Sequence, residues 1–118
     1  MPGAAQRARL GFGRSRRFAG RAAFERLLRE GARHGRAGYT LYVARRAGGP
    51  PRLGVMVSRQ HAARATVRNQ IKRCIREAFR LEQARLGALD VLVRPPLGAR
   101  PGALMRARLR ELFAALTR

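Results

Sequence analysis

The segment from Ala65 to Leu86 carries the strongest hydrophobic periodicity in the chain. Its apolar residues recur every three or four positions, which predicts a long amphipathic helix with one buried stripe. The residues of that stripe are Val67, Ile71, Ile75, Ala78 and Phe79, with Cys74 at its edge. Because a helix buries such a stripe against another layer, a sheet is expected beneath it.

The polar side of this segment is strongly basic. Its side chains suited to phosphate or sugar contacts are Arg68, Asn69, Lys72, Arg73, Arg76 and Arg80. Only Glu77 and Glu82 offset the cations, which repel one another unless an anionic partner neutralises them. The planar guanidinium of arginine suits bidentate contacts with phosphate. The helix is therefore predicted to lie along a nucleic acid, and its residues leave DNA and RNA both open.

The overall charge also favours a polyanionic partner. The 118 residues include 27 Lys and Arg against 6 Asp and Glu, for a net charge of +21. Yet 46% of the residues are hydrophobic, which is more than a disordered basic arm contains. The length fits one domain over residues 1–118, and the apolar runs fall far short of the ~20 residues that span a bilayer. These values exclude a multidomain enzyme, a membrane protein and an unfolded basic tail.

The remaining elements follow from periodicity and turn residues. Residues 1–20 are predicted to form an irregular basic segment. After it come, in chain order, a helix over 21–30, strands over 39–43, 52–58 and 90–94, and a helix over 102–116. The first two strands flank a Gly-Gly-Pro-Pro sequence, so they are expected to pair as an antiparallel hairpin. With the helix over 65–86, the order α-β-β-α-β-α predicts a small α+β sandwich, with room for one extra short strand.

Individual side chains have simple structural interpretations. The residues of the last helix predicted to point inward are Leu104, Leu109, Leu112, Phe113 and Leu116. Thr66 is predicted to cap the N-terminus of the helix over 65–86, and His61 is expected at the surface. Cys74, the single cysteine, is expected to pack in the core, and the acids within helices are expected to face solvent beside arginines.

The basic helix resembles a known motif. Residues 68–73, RNQIKR, followed by residues 75–80, IREAFR, are similar to the signature helix R-N-R-x-K-R-x-x-R-E of the bacterial ribonuclease P protein component. Stretches that match other parts of that family are the basic residues 12–18, the first helix at 24–31, an exposed strand at 38–42 and the strand R-x-G-x-x-V-S-[KR] at 52–59. The resemblance extends over about residues 10–116.

Two positions depart from the family pattern. Gln70 replaces the third residue of the R-N-R triplet. Glutamine keeps hydrogen-bonding groups but has no charge, so one weaker phosphate contact is expected there. Leu28 stands where the family commonly has an aromatic residue, which removes part of any stacking platform.

The resemblance implies a fold, an activity and partners. The fold would be an α-β sandwich with a mostly antiparallel sheet and a left-handed crossover, and the chain would be a single RNA-binding domain. It would bind ribonuclease P RNA, the catalytic subunit that removes the 5′ leader of precursor tRNA and so generates the mature 5′ end. The residues that would face the catalytic RNA are Arg68, Asn69, Gln70, Lys72, Arg73 and Arg76. Those that would line a cleft for the single-stranded leader are Phe18, Phe24, Tyr42 and Arg59.

Strand geometry also bears on the choice of Tyr42 for the cleft. Single-stranded nucleic acid is commonly held by aromatic stacking beside cations. Tyr39 and Tyr42 have opposite parity in their strand, so they are expected to point to opposite faces of the sheet and only one can line a given cleft. The family match favours Tyr42. Phe24 lies on the inner stripe of its helix, so packing in the core is the alternative to a place in the cleft.

The polypeptide itself is not expected to carry the chemistry. Metal-assisted cleavage needs clustered acids, and the six acids are scattered along the chain. His34 and His61 fall in separate predicted loops. The chain is thus interpreted as the non-catalytic subunit of an endoribonuclease, with Mg²⁺ held mainly by the RNA. Its expected setting is the cytoplasm, with ribonuclease P RNA and precursor tRNA as partners, and without a membrane or an obligate protein partner.

Two other functions share the size and charge of this chain. A ribosomal protein would sediment with ribosomes and would not affect tRNA processing. A nucleoid protein would bind duplex DNA tightly and would normally dimerise. The contiguous motif between Arg68 and Arg80 disfavours both, and the chain has no long apolar seam for dimerisation.

Overall fold

The computed structural model describes residues 20–117 and contains three helices and four strands within them. In chain order the elements are α1 (Gly20–Glu30), β1 (Ala32–Arg36), β2 (Tyr39–Arg45), β3 (Arg52–Val55), α2 (Ala65–Leu86), β4 (Leu89–Arg94) and α3 (Ala103–Ala115). The predicted α+β class is confirmed, and β1 is the extra short strand. The basic segment over residues 1–20 lies outside the described residues, apart from the first residue of α1.

The four strands form one mixed sheet in the order β1-β2-β4-β3. β1 pairs antiparallel with β2, β2 pairs antiparallel with β4, and β3 runs parallel to β4. A tight turn with positive φ at Ala37 (55°) and Gly38 (84°) connects β1 to β2. Gly38 is required there, because a Cβ atom on it would lie 2.9 Å from the Pro96 ring. The connection from β3 through α2 to β4 is a crossover between adjacent parallel strands.

The expected hairpin between residues 39–43 and 52–58 is wrong, because β4 lies between β2 and β3. The side chains of Val91, Leu92 and Val93 are fully buried, so β4 is apolar on both faces and belongs in the interior of the sheet. β2 is likewise an inner strand with mostly buried side chains, not the exposed strand suggested by the resemblance at 38–42. The exposed strand is β1, which carries polar side chains at one edge.

The two faces of the sheet bury separate apolar clusters. On one face the sheet packs against α2 and α3, where the rings of Phe79 and Phe113 meet edge to face with centroids 5.7 Å apart. On the other face Leu27 of α1 packs against Tyr42 and Leu92 of the sheet. Tyr39 belongs to the first cluster and Tyr42 to the second, so the prediction that they point to opposite faces is confirmed.

Three expected side-chain positions are wrong. Leu104 is 75% exposed, and the neighbouring Met105 is buried in its place, because Met105 shares a helical stripe with Leu109 and Leu112. Thr66 lies inside α2, whose N-cap position is Arg64 and has no side-chain hydrogen bond. His61 is buried, not at the surface.

Acidic side chains hold elements together. Glu82 is buried, contrary to the expectation that helical acids face solvent, and its Oε2 accepts a 2.8 Å hydrogen bond from Arg110 Nε, which links α2 to α3. Asp90 accepts two hydrogen bonds of 2.8 Å from Arg52 and one of 2.8 Å from Arg46. The Asp90 carboxylate raises the pKa of Arg52 above its usual value by this hydrogen bonding. β4, β3 and the loop after β2 are thereby tied at one point.

Candidate nucleic-acid interface

α2 separates an apolar face from a basic one. Its buried residues are Ile71, Cys74, Ile75, Ala78, Phe79, Glu82 and Leu86. The predicted apolar stripe and the packing role of Cys74 are confirmed, and Val67 is partly buried at its end. Since successive helical residues are about 100° apart, the opposite side of α2 presents polar side chains outward. This side is the candidate nucleic-acid interface.

We call the outer face of α2 the surface formed by Asn69, Arg73, Arg76 and Arg80. These residues and Glu77 line a shallow groove of about 420 Å³. Arg80 Nη2 donates a 2.8 Å hydrogen bond to Glu77 Oε1, and this bond is the main reason that the pKa of Glu77 lies below its usual value. The structure thus brings three predicted RNA-facing residues together, namely Asn69, Arg73 and Arg76.

Arg68 has a second role that its sequence motif does not reveal. Its Nη1 donates hydrogen bonds to the carbonyl oxygens of Ala62 at 3.0 Å and Ala63 at 2.8 Å. These bonds fasten the loop before α2 to the first turn of the helix. Arg68 therefore helps to position the start of α2, whatever else its guanidinium contacts.

Gln70 and Lys72 lie on different sides of α2. Two residues correspond to a rotation of about 200°, so these side chains do not share a surface. Gln70 faces a groove of about 590 Å³ between α2 and α3, which we call the α2–α3 groove. The residues that line it are Gln70, Arg73, Cys74, Glu77, Pro101, Gly102 and Arg106. Arg106 was not among the candidates from sequence, because only the packing of α3 on α2 brings it there.

Two of the predicted leader-binding residues, Phe24 and Tyr42, lie on the face of the sheet opposite α2. Phe24 packs at the edge of the cluster that contains Leu27, Tyr42 and Leu92, which we call the α1 cluster. Tyr42 is only 8% exposed, and the guanidinium carbon of Arg33 lies 5.9 Å from the centre of its ring. A cation thus already covers one approach to the ring.

The other two leader-binding candidates are less closely defined. Arg59 is exposed in the turn after β3, three residues beyond Met56, which packs on the α1 cluster. Phe18 lies outside the described residues. The structure therefore brings together Phe24 and Tyr42 of the four predicted residues.

Within residues 20–117, no group of three or more His, Cys, Asp or Glu side chains could hold a metal ion. Over the same residues, none of the helices is both long and apolar enough to cross a membrane. His34 is exposed on β1, whereas His61 is buried. The two histidines thus occupy unlike surroundings.

His61 fastens the turn that carries Arg59. Its Nδ1 accepts a 2.9 Å hydrogen bond from the backbone N–H of Ser58 and lies 3.1 Å from Ser58 Oγ. Its carbonyl oxygen accepts a 3.2 Å bond from the N–H of Gly98. Nε2 is buried and has no hydrogen-bond partner among the described residues. Burial, with the nearby charge of Arg94, holds the pKa of His61 below its usual value of 6.5.

Protonation of His61 is expected to destabilise the fold. In the unfolded chain the imidazole binds a proton near pH 6.5, whereas in the folded chain it does so only at lower pH. The unfolded state therefore binds more protons as the pH falls below about 6.5, and the free energy of unfolding should decrease by up to about 1.4 kcal/mol per pH unit. Urea unfolding between pH 7.5 and 5 should show this decrease (roughly the range in which free histidine titrates). His61→Gln should remove most of it, while His34→Gln should leave it unchanged; an equal decrease in all three proteins would contradict the assignment.

The sequence of this chain matches the ribonuclease P family over residues 12–117. The ribonuclease P protein component of Methylococcus capsulatus is 36% identical over 110 residues, which cover 92% of this chain and 86% of that protein. The same component of Thioalkalivibrio sulfidiphilus is 35% identical over 109 residues, which cover 91% of each chain.

Solved structures of the same family share the fold. The RNase P protein of Staphylococcus aureus superposes with a TM-score of 0.75 at 25% identity, covering 87% of this chain and 96% of that one. The RNase P protein of Thermotoga maritima superposes with a TM-score of 0.69 at 25% identity, covering 86% and 94%. The family match extends over nearly the whole sequence, and the fold agrees with solved structures of the family. The chain therefore belongs to the ribonuclease P protein family.

Proposed function

We propose that this chain binds ribonuclease P RNA through the outer face of α2 and the 5′ leader of precursor tRNA through the side of the sheet that carries Tyr42. The observation that carries the proposal is the separation of charge on α2. The core buries its apolar stripe, and Asn69, Arg73 and Arg76 line a groove on its other side.

The geometry of the outer face suits a folded RNA. Cations one helical turn apart are spaced by about 5.4 Å along the axis, so successive side chains can contact successive phosphates. Arginine forks bind phosphate in two-point fashion, and the Asn69 amide can both donate to and accept from sugar or base edges. The shallow groove of about 420 Å³ offers a concave seat for a backbone.

The α1 cluster supports the assignment of the leader. Tyr42 and Phe24 bring two aromatic rings to this side of the sheet, and Arg33 supplies a cation next to the Tyr42 ring. Single strands bind to such combinations because each base has a face that stacks on an aromatic ring or a guanidinium. In this proposal the Arg33 side chain moves from the Tyr42 ring to a phosphate of the leader, and a leader base then stacks on the ring in its place.

We assign the hydrolysis to the RNA subunit and to Mg²⁺ bound mainly by that RNA. Asp90 and Glu82 are paired with arginines, and the described acids offer no cluster for a divalent ion. The protein then acts by screening phosphate repulsion and by extending substrate recognition to the leader. In this scheme it works in the cytoplasm and needs no second protein.

Reconstitution tests the proposed function. The purified chain is added to ribonuclease P RNA and precursor tRNA at a Mg²⁺ concentration at which the RNA alone is slow. Restored cleavage at the mature 5′ end is the expected result. Failure to stimulate cleavage would overturn the proposal, and co-sedimentation with ribosomes instead would favour the ribosomal alternative.

Replacing Tyr42 should affect only substrates that carry a leader. Tyr42→Leu keeps an apolar side chain in the α1 cluster but removes the stacking ring. Loss of one stacked base of roughly 1–2 kcal/mol should weaken holoenzyme affinity for precursor tRNA about 5- to 30-fold. The affinity for mature tRNA should stay the same. Both are measured by equilibrium binding to the reconstituted holoenzyme.

The matched control is Tyr39→Leu, which makes the same change on the opposite face of the sheet. It should lower stability without changing the ratio of the two affinities. If Tyr42→Leu weakens precursor and mature tRNA equally, Tyr42 does not contact the leader.

A further inference from the structure

The α2–α3 groove contains two cations that are not committed to an acid. Among the described arginines, those that lie within 4.0 Å of a carboxylate oxygen include Arg21, Arg46, Arg52, Arg80, Arg85 and Arg110. Arg73 and Arg106, which line the groove from α2 and from α3, have no such partner among residues 20–117. Both side chains are exposed. Their charges are therefore available to an external anion.

Arg106 is held towards α2. Its Nη1 lies 3.9 Å from the Sγ atom of Cys74, which is one helical turn beyond Gln70 on the same side of α2. Its charge also helps to lower the pKa of Glu77, on the adjacent turn of α2. The guanidinium thus reaches across from α3 and lies over the strip of α2 to which Gln70 belongs.

The carboxylate of Glu77 offsets only part of the positive charge at this site. Glu77 Oε1 accepts its hydrogen bond from Arg80, whose guanidinium lies 2.8 Å away on the outer face of α2. With Glu77 balanced by Arg80, the other charged residues of the groove are Arg73 and Arg106, which leaves two positive charges in about 590 Å³. The Gln70 amide adds uncharged donors on the same wall.

We propose that Arg106, with Arg73 and Gln70, forms a binding site for a backbone phosphate of ribonuclease P RNA in the α2–α3 groove. The proposal rests on the proposed function and extends the RNA interface from α2 to α3. Arg106 supplies from α3 the positive charge that Gln70 lacks on α2. A phosphate in the groove accepts from both guanidinium groups and from the Gln70 amide, and the fixed fork of each arginine orients it.

The test compares two arginines of α3 that differ in position. Arg106→Ala removes a cation from the groove. Arg108→Ala is the matched control, since Arg108 is also exposed on α3 but lies on the flank next to Tyr39. Binding of each full-length protein to ribonuclease P RNA is measured over a range of monovalent salt at constant Mg²⁺. Thermal melts check that both variants remain folded.

Arg106→Ala should weaken RNA binding about fivefold at near-physiological salt. The slope of log K against log salt should fall in magnitude by about 0.7–0.9, which is the share of one phosphate contact. Arg108→Ala should change the slope much less. Equal slopes for the two variants would overturn the proposal.

A compensating substitution gives an independent test. Gln70→Arg places a charge on the α2 wall of the same groove, so in the Arg106→Ala protein it should restore most of the affinity and the slope. In the wild-type protein the same change should gain less, because a third guanidinium would repel the two already there. Failure to restore binding would refute the compensation between Gln70 and Arg106.

The outcomes distinguish this site from the proposed function. If the wild-type chain does not bind ribonuclease P RNA, the proposed function fails. If it binds and stimulates cleavage but Arg106→Ala behaves like Arg108→Ala, only the groove site fails.

Discussion

Joint replacement of Arg73 and Arg76 by Ala is expected to weaken the binding of ribonuclease P RNA by on the order of 30-fold, or roughly 1 kcal/mol for each lost phosphate contact. Both residues line the groove on the outer face of α2, and neither side chain belongs to the buried stripe. The salt dependence should weaken as well, by about 1.4–1.8 units of slope for two contacts. Filter binding or fluorescence titration at several salt concentrations measures both quantities.

The control for this prediction removes the same charge elsewhere. Arg29→Ala with Arg36→Ala takes two exposed arginines from α1 and β1, away from α2. If net charge alone drives association, both double variants should lose the same affinity and the same slope. That result would show that α2 is not the RNA-binding surface.

Replacement of Phe79 by Ala is expected to lower the free energy of unfolding by about 3–5 kcal/mol. Phe79 is fully buried on α2, and its ring packs edge to face on Phe113 of α3. Its loss leaves a cavity where α2, α3 and the sheet meet, and it removes an aromatic pair that is worth about 0.5–1.5 kcal/mol beyond area burial. Since a domain of this size is stable by about 5–15 kcal/mol, much of the population would unfold in mild denaturant. Urea unfolding monitored by circular dichroism gives the value.

Phe79→Leu provides the graded comparison. It keeps most of the apolar volume, so its effect should be less than half that of Phe79→Ala. A loss below about 1 kcal/mol for Phe79→Ala would mean that the junction of α2 and α3 contributes little to stability. RNA affinity of the folded fraction should remain unchanged, because Phe79 does not reach the outer face of α2.

The main helix could be predicted from sequence because its pattern is local. Residues 65–86 repeat their apolar positions with helical period, and Gly87 follows as the terminating residue, so both bounds agree with the structure. The position of Arg73 and Arg76 outside the apolar stripe follows from the same period. This part of the candidate site therefore needed no tertiary information.

Strand pairing could not be predicted from the same kind of pattern. The run at 52–58 is close in sequence to β2, but its partner is β4, which comes after the whole of α2. A useful signal was the continuous run Val91-Leu92-Val93, which is apolar on both faces and indicates a central strand. Local turn residues such as those before Arg52 do not show which strand lies next to which.

The buried polar contacts could not be predicted from the sequence either. Glu82 is buried because Arg110 of α3 reaches it, and His61 is buried because the loops around Ser58 and Gly98 close over it. Each depends on residues brought together only by the fold. For the same reason Arg106 joins the α2–α3 groove without any motif that includes it.

The crossover connection through α2 couples ligand binding to global stability. β3 and β4 are adjacent parallel strands connected through α2, which must cross the sheet between them. A molecule that holds α2 in place therefore also stabilises the pairing of the edge strand β3 with β4. By mass action, RNA that binds only the native chain should raise the melting temperature of the whole domain progressively with RNA concentration. On the proposed function, a cell that produces this chain in excess of ribonuclease P RNA would contain a more protease-sensitive pool, and the amount of RNA would limit how much of the protein persists.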